Sequence, residues 1–272
     1  MNRFLFILTL LLSMPLFQYG QDPKIIAHRG ASGYCPENTI PAIEKALEIG
    51  VDMVEIDIHL SKDGEIIVIH DATIDRTTNG KGYVVDFTLN ELKEFDAGSW
   101  YDEKFSGTKI PELSEVLQLC VGKCPLLIEV KKGSDYYPEI EQKAWQLVKE
   151  MNAEEWVEFQ SFYDHSLEQM EKTGITAPIY KLLVGIYPGF PLYIDHSLKW
   201  GNFFRKNKVS ISGINPNESF VNSAFLNKVN NKSLSSYIWT VNEEKKMRKM
   251  IARNVAGIIT NYPKELKQIL NE

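Results

Sequence analysis

The chain predicts an α/β fold: a (β/α)8 TIM barrel with a short insertion between the second and third barrel strands. Two observations carry the prediction. From Lys24 onward, short runs rich in Ile, Val and Leu alternate with amphipathic stretches at helical spacing, which marks repeated βα units. The apolar runs number eight, the count that closes such a barrel. No Gly/Ser/Pro linker divides the 272 residues, and with 44% hydrophobic and 24% charged residues the chain can bury one large core.

The strands expected are Ile25 to Ala27, Met53 to His59, Leu126 to Val130, Val157 to Phe162, Ile179 to Leu183, Ile211 to Asn215, Tyr237 to Val241 and Gly257 to Asn261. Between them, helical spacing covers Thr39 to Ile49, Glu112 to Leu119, Glu139 to Met151, His165 to Lys172, Ser223 to Val229, Glu243 to Asn254 and Lys264 to Leu270. The pattern breaks between His70 and Glu112. Thr77 to Gly82 reads as a turn and Phe95 to Phe105 is aromatic and irregular, which predicts a long excursion over the barrel mouth. Asp63-Gly64 is a hairpin turn, so Ile66 to Ile69 is an extra short strand.

Met1 to Gln21 carries one charge, Arg3, and then the apolar run Phe4 to Phe17. It reads as a signal peptide, too short to span a membrane and interrupted by Pro15, leaving a domain over 22–272 in an exported protein, periplasmic or secreted. The three cysteines, Cys35, Cys120 and Cys124, are too few for a disulfide framework, and whether Cys120 bonds Cys124 is open. A zinc site on that pair lacks neighbouring His or Cys ligands. With 30 Lys+Arg against 36 Asp+Glu the chain has no basic footprint for nucleic acid, and nothing in it implies a protein partner or a membrane span after signal removal.

In a barrel, chemistry belongs where strands end and βα loops begin. Four strand ends are polar here: His28-Arg29-Gly30, Glu55 with Asp57, His70-Asp71, and Glu129 with Lys131. Residues two apart share a strand face, so Glu55 and Asp57 point inward together, as do Glu129 and Lys131. Three inward carboxylates cannot all stay ionised without a cation, and hard oxygen ligands suit Mg2+ or Ca2+. Each residue alone has an ordinary structural explanation. Together, two histidines, three carboxylates and two cations at matched strand ends are too costly to bury without a function. His59 also points inward by spacing, as a support, a phosphate contact or simple packing; Asn215 and Asn242 are at most polar wall, and His165 and His196 have no assigned role.

These residues resemble the glycerophosphodiester phosphodiesterase family, whose barrel opens with a His-Arg-Gly turn and a Pro-Glu-Asn-Thr loop. Here they are His28-Arg29-Gly30 and Pro36-Glu37-Asn38-Thr39. The resemblance continues through Glu55 to Gly64 leading to His70-Asp71, Leu113 to Leu117, Glu129-Val130-Lys131, Gln160-Ser161-Phe162, Trp239 to Asn242 and Gly257 to Pro263, essentially all of the chain after the signal. Ser61 stands where Thr is usual, Asn261 where Asp is common, and Ala256 where an acidic residue often precedes the last strand.

The resemblance implies metal-dependent hydrolysis of glycerophosphodiesters to glycerol 3-phosphate and an alcohol. Carried over, Glu55, Asp57 and Glu129 hold one divalent cation, Mg2+ or Ca2+, and His28 and His70 are the acid/base pair. Arg29 and Lys131 neutralise the phosphate, Glu37 binds glycerol hydroxyls or completes the metal shell, and Trp239 with Phe162 lines the alcohol side. A lysophospholipase D on the same fold and a non-catalytic barrel are the alternatives. A glycosidase fits less well, because the later strand ends offer Gln160, Asn215 and Asn242 rather than a carboxylate pair.

Overall fold

The computed structural model describes residues 22–186, 193–194, 200–201 and 209–272; the expected signal segment and His196 lie outside them. All eight expected strands form: β1 (Lys24–Ala27), β2 (Met53–Leu60), β4 (Leu126–Val130), β5 (Val157–Ser161), β6 (Ile179–Leu183), β10 (Gly213–Pro216), β11 (Tyr237–Ile238) and β12 (Gly257–Thr260). They hydrogen-bond in the order β10-β6-β5-β4-β2-β1-β12-β11, and parallel bridges Gly213 to Ser235 and Asn217 to Trp239 bring the two ends together into a nearly closed barrel. The extra strand β3 (Ile66–Val68) pairs antiparallel with β2. Three two-residue strands, β7 (Gly185–Ile186), β8 (Tyr193–Ile194) and β9 (Trp200–Gly201), make a separate small sheet.

Every residue of β2 is buried, because a barrel strand has helices on one face and the barrel interior on the other. Val54, Ile56, Ile58 and Leu60 face outward and join the large core under the helices Ile40–Ile49, Leu113–Cys120 and Ile140–Glu150. Met53, Glu55, Asp57 and His59 take the inward face. Met53 packs with Ile26, Leu127, Tyr180, Tyr237 and Ile259 as an apolar floor inside the barrel. The carboxylates sit one layer above that floor. The stacked Tyr180 and Tyr237 rings, 4.8 Å between centroids, fill the floor where Gly213 and Gly257 leave space; a Cβ would come within 2.6 Å of Tyr180 at Gly213 and 2.7 Å of Tyr237 at Gly257.

Residues 69–112 contain only short helices, at Val84–Asp86, Leu89–Leu92 and Glu103–Phe105. With Ile67 of β3 they build a small core from Ile69, Ile74, Val84, Leu92, Ala97 and Ile110. Burial of each large aliphatic there contributes roughly 1.5–3 kcal/mol, enough to fix a segment with so little regular hydrogen bonding. Cys35, Cys120 and Cys124 are all buried free thiols, so no disulfide joins the last two.

Candidate active site

The strand register explains which side chains meet. Asp57 and Glu129 are direct partners across β2 and β4, Ala27 pairs with Thr260, and Ile26 pairs with Met53, so His28 emerges beside Asn261 and level with Glu55. One ligand oxygen from each of Glu55, Asp57 and Glu129 lies within 4.8 Å of the others, and all three residues are buried. Lys131 reaches back to them, its Nζ lying 3.0 Å from Asp57 Oδ1 and 2.6 Å from Glu129 Oε1. Asn38 Nδ2 donates to Asp57 Oδ2 at 2.8 Å, while Gln160 Nε2 donates to Glu55 Oε1 at 3.2 Å.

The electrostatics of the triad are uneven. Burial works against the Asp57 carboxylate, but Lys131, His70, Arg29 and the Asn38 amide outweigh it and hold Asp57 well below the usual carboxylate range. Glu55 goes the other way, pushed up by burial and by the charges of Asp57 and Glu129. Burial also pushes Glu129 up to about 7, with Lys131 opposing and Asp57 adding to the shift. Carboxylate oxygens this close, two of which resist ionisation, are the donor set that a hard divalent cation satisfies, so the residues fit such an ion.

His28 and His70 flank the triad and are held by different groups. His28 Nδ1 donates to Asn261 Oδ1 at 2.6 Å. His70 Nδ1 donates to the Asp71 carboxylate at 2.6 Å. Burial and then Arg29 lower His28 to about 3; burial also lowers His70, against the pull of Asp57 and Asp71. The β2–β3 hairpin is what brings His70 to the mouth, since the Ile69 N–H bonds the Asp57 carbonyl at 3.0 Å. His59 then fixes the backbone there. Its Nε2 donates to the His70 carbonyl at 2.9 Å, so its Nδ1 is the acceptor for the Tyr137 hydroxyl at 2.6 Å, and the ring is neutral, lowered to about 3 chiefly by burial.

Arg29 bends over the triad from a left-handed backbone (φ 56°), a conformation costly for a residue with a Cβ and one that clusters at functional sites. Gly30 follows at φ 76°, where a Cβ would meet the Ala42 backbone at 2.7 Å. The turn sends the Arg29 N–H to Glu55 Oε2 at 2.9 Å and the guanidinium to Glu37 at 2.8 Å and Asp57 at 3.5 Å. The cleft above is lined on its charged side by His28, Arg29, Glu55, His70, Glu129 and Lys131, and on its other side by Gln160, Phe162, Leu182, Trp239 and Ile259. Phe162 and Trp239 meet edge to face at 5.4 Å.

Sequence comparison matches residues 28–265 to the glycerophosphoryl diester phosphodiesterase family. The chain belongs to this family. Its members are phosphoric diester hydrolases, and so is this enzyme. A glycerophosphodiester phosphodiesterase of Caldanaerobacter subterraneus is 39% identical over 262 residues, covering 91% of this chain and 98% of that one. A rat lysophospholipase D is 27% identical over 273 residues, covering 90% and 85%. Among solved structures, an Oleispira antarctica phosphodiesterase in complex with the product sn-glycerol-3-phosphate superposes with a TM-score of 0.79 at 24% identity, over 92% of this chain and 98% of that one, which supports the barrel fold.

The structure thus gathers His28, His70, Glu55, Asp57, Glu129, Arg29, Lys131 and Trp239 of the enzyme around one cleft. Glu37 stands at its edge, with both oxygens taken by Arg29 and Arg76. Sequence reading gives no role to Asn38, Arg76 or Tyr137, names Gln160 only in a family block and as a strand end without a carboxylate, and names Asn215 only as wall. The amides form a chain, Asn215 Nδ2 donating to Gln160 Oε1 at 2.9 Å and Gln160 in turn to Glu55. Period-two spacing would have placed Gln160 inward, because it pairs with Glu129 across β4 and β5. His165 lies outside the cleft, bonded to the Lys132 carbonyl.

Proposed function

We propose that the enzyme hydrolyses glycerophosphodiesters to glycerol 3-phosphate and an alcohol, using one divalent cation, Mg2+ or Ca2+, held by Glu55, Asp57 and Glu129. The carrying observation is the convergence of three carboxylate oxygens within 4.8 Å, beside which two histidines and two cationic side chains open on one cleft. When bound, the cation would supply positive charge to the phosphoryl oxygens as negative charge builds there. The activity for which the Caldanaerobacter relative is named supports the substrate class. Export, periplasmic or secreted, is part of this proposal, motivated by the Met1 to Gln21 segment.

The residues divide the work by their hydrogen bonds. Asn261 Oδ1 can only accept, so His28 carries its proton on Nδ1 and offers a free Nε2 lone pair. His28 is the base of the first step. His70 donates to a carboxylate, which stabilises its imidazolium, so His70 is the acid that protonates the departing alcohol. Arg29 and Lys131, each held close to the carboxylate layer, present positive charge to the phosphate. Phe162 and Trp239 face the alcohol.

In this reading the glycerol 2-hydroxyl attacks first, giving a cyclic phosphate that water opens while the two histidines exchange roles. An analogue lacking the 2-hydroxyl is expected to be inert; its rapid turnover would show direct attack by water instead. The reaction class is tested by assaying release of glycerol 3-phosphate from soluble glycerophosphodiesters and of lysophosphatidic acid from a lysophospholipid, with Mg2+, Ca2+ or a chelator. Release from the soluble diesters that the chelator abolishes is the expected result. Release from the lysophospholipid alone would favour the lysophospholipase D reading, and no release from folded protein would favour a non-catalytic barrel.

A further inference from the structure

The surface ion pairs around Arg76 form a closed path between the two halves of the catalytic apparatus. Arg76 Nη1 and Nη2 donate to the two oxygens of Glu37 at 2.9 and 2.8 Å, and Arg76 Nε donates to Asp71 Oδ2 at 2.7 Å. The other oxygen of Asp71 receives the His70 ring proton, and Glu37 Oε1 also receives Arg29 Nη1. One guanidinium therefore ties the loop bearing His70 to the loop bearing Arg29. Glu37 is only 14% exposed; burial works against its charge, but the two arginines prevail and hold the carboxylate below the usual range.

The excursion after β3 holds Arg76 in place. Ile74 is fully buried, its N–H bonds the Gly82 carbonyl at 3.0 Å, and Thr78 Oγ1 donates to the Ile74 carbonyl at 2.7 Å. Val84 N–H bonds the Ala72 carbonyl at 2.9 Å, closing the loop on both sides of Arg76.

We propose that Arg76 is a positioning residue for the phosphodiester reaction: it orients His70 through Asp71 and Arg29 through Glu37, and the excursion exists to deliver it. Glu37 is then a link between two arginines rather than a contact to glycerol or the cation. The proposal rests on the reaction proposed above, but its geometric part is independent of substrate. Three nitrogens of one planar fork hold both oxygens of Glu37 and one of Asp71 in fixed directions, which the single nitrogen of a lysine ammonium does not reproduce.

The test compares wild-type enzyme with Arg76→Ala and Arg76→Lys for kcat, KM and Tm, with and without millimolar guanidinium, and records 15N spectra of the histidine rings. Arg76→Ala is expected to lose about 10- to 100-fold in kcat with KM changed less than about threefold. Lysine should not restore the rate, whereas added guanidinium, able to enter at a side chain 44% exposed, should restore several-fold of it in Arg76→Ala and none in His70→Ala. The His70 signal, identified by its loss in His70→Ala, should change from an Nδ1-protonated ring to a tautomer mixture in Arg76→Ala while His28 is unchanged. An unaltered kcat, or full rescue by lysine, would overturn the proposal, as would an unaltered His70 signal. An inactive wild type would sink the reaction reading alone, leaving the ring spectra to decide the clamp.

Discussion

Asp57→Asn and Glu129→Gln are expected to lose turnover about 10^3-fold or more, yet to move the stability of the metal-free protein in opposite directions. The loss is expected from taking a carboxylate out of a three-oxygen site, where the proposed cation would supply several kcal/mol to the transition state. The stabilities differ because the two carboxylates differ electrostatically. Asp57 is the buried partner of Lys131 and Arg29, and removing its charge leaves Lys131 only Glu129, which burial keeps from ionising, and Arg29 only Glu37. A buried charge that loses all its partners costs on the order of 3–5 kcal/mol, and the remaining partners bring this below that figure, so Tm should fall by up to roughly 10 °C in a chain of this size.

Glu129, held near 7 by burial against the pull of Lys131, is ionised at a cost above that pH. The sign is set by proton binding: between the unfolded carboxylate value and about 7, the folded state binds more protons than the unfolded one, so ionisation of Glu129 lowers stability as pH rises through that window. Glutamine removes the penalty. Glu129→Gln should therefore be more stable than wild type by on the order of 1–2 kcal/mol at pH 8, a gain that shrinks to nothing toward pH 4.5, and Lys131 keeps Asp57 as its partner throughout. Thermal denaturation of chelator-treated protein across that range is the check. Equal destabilisation by both variants would contradict the charge balance described for the triad.

Replacing either histidine by alanine is expected to lower kcat by about 10^2- to 10^4-fold with folding preserved, the usual contribution of a positioned acid or base. The two are distinguishable by their partners. Asn261→Asp places a carboxylate against His28 Nδ1, where the amide oxygen now accepts at 2.6 Å. An opposite charge favours the protonated ring, so the pH below which the base is lost should rise by about one unit, moving the acidic limb of kcat/KM to higher pH. Asp71→Asn does the reverse for His70, removing the charge that favours its proton and moving the basic limb to lower pH. The pH–rate profiles of these two variants check the assignment. An Asn261→Asp variant that moves the basic limb instead would exchange the roles of His28 and His70.

The eight strands and the inward set Glu55, Asp57, Glu129 and Lys131 were legible in the chain because a strand alternates its faces with period two. That rule is local, and eight repeats of it leave few closed arrangements. The same rule put His28 at a strand end and Glu55 two residues before Asp57. It says nothing about partners from distant segments: Arg76 meets Glu37 across 39 residues, His59 meets Tyr137 across 78, and Gln160 meets Glu55 across 105. The first two contacts depend on how the excursion and a βα loop pack against the strands, and the third on the order of the strands in the barrel.

Alternation along the chain predicts the barrel and its three inward carboxylates, which could be read residue by residue, while the pairing of the two histidines came from the resemblance to the family. The tautomer of His59, the different partners of His28 and His70, the uneven charges of Asp57 and Glu129 and the tie made by Arg76 came only with the folded structure. Most of these are fixed by burial and by hydrogen-bond geometry between segments, and folding alone brings those segments within 3 Å of each other.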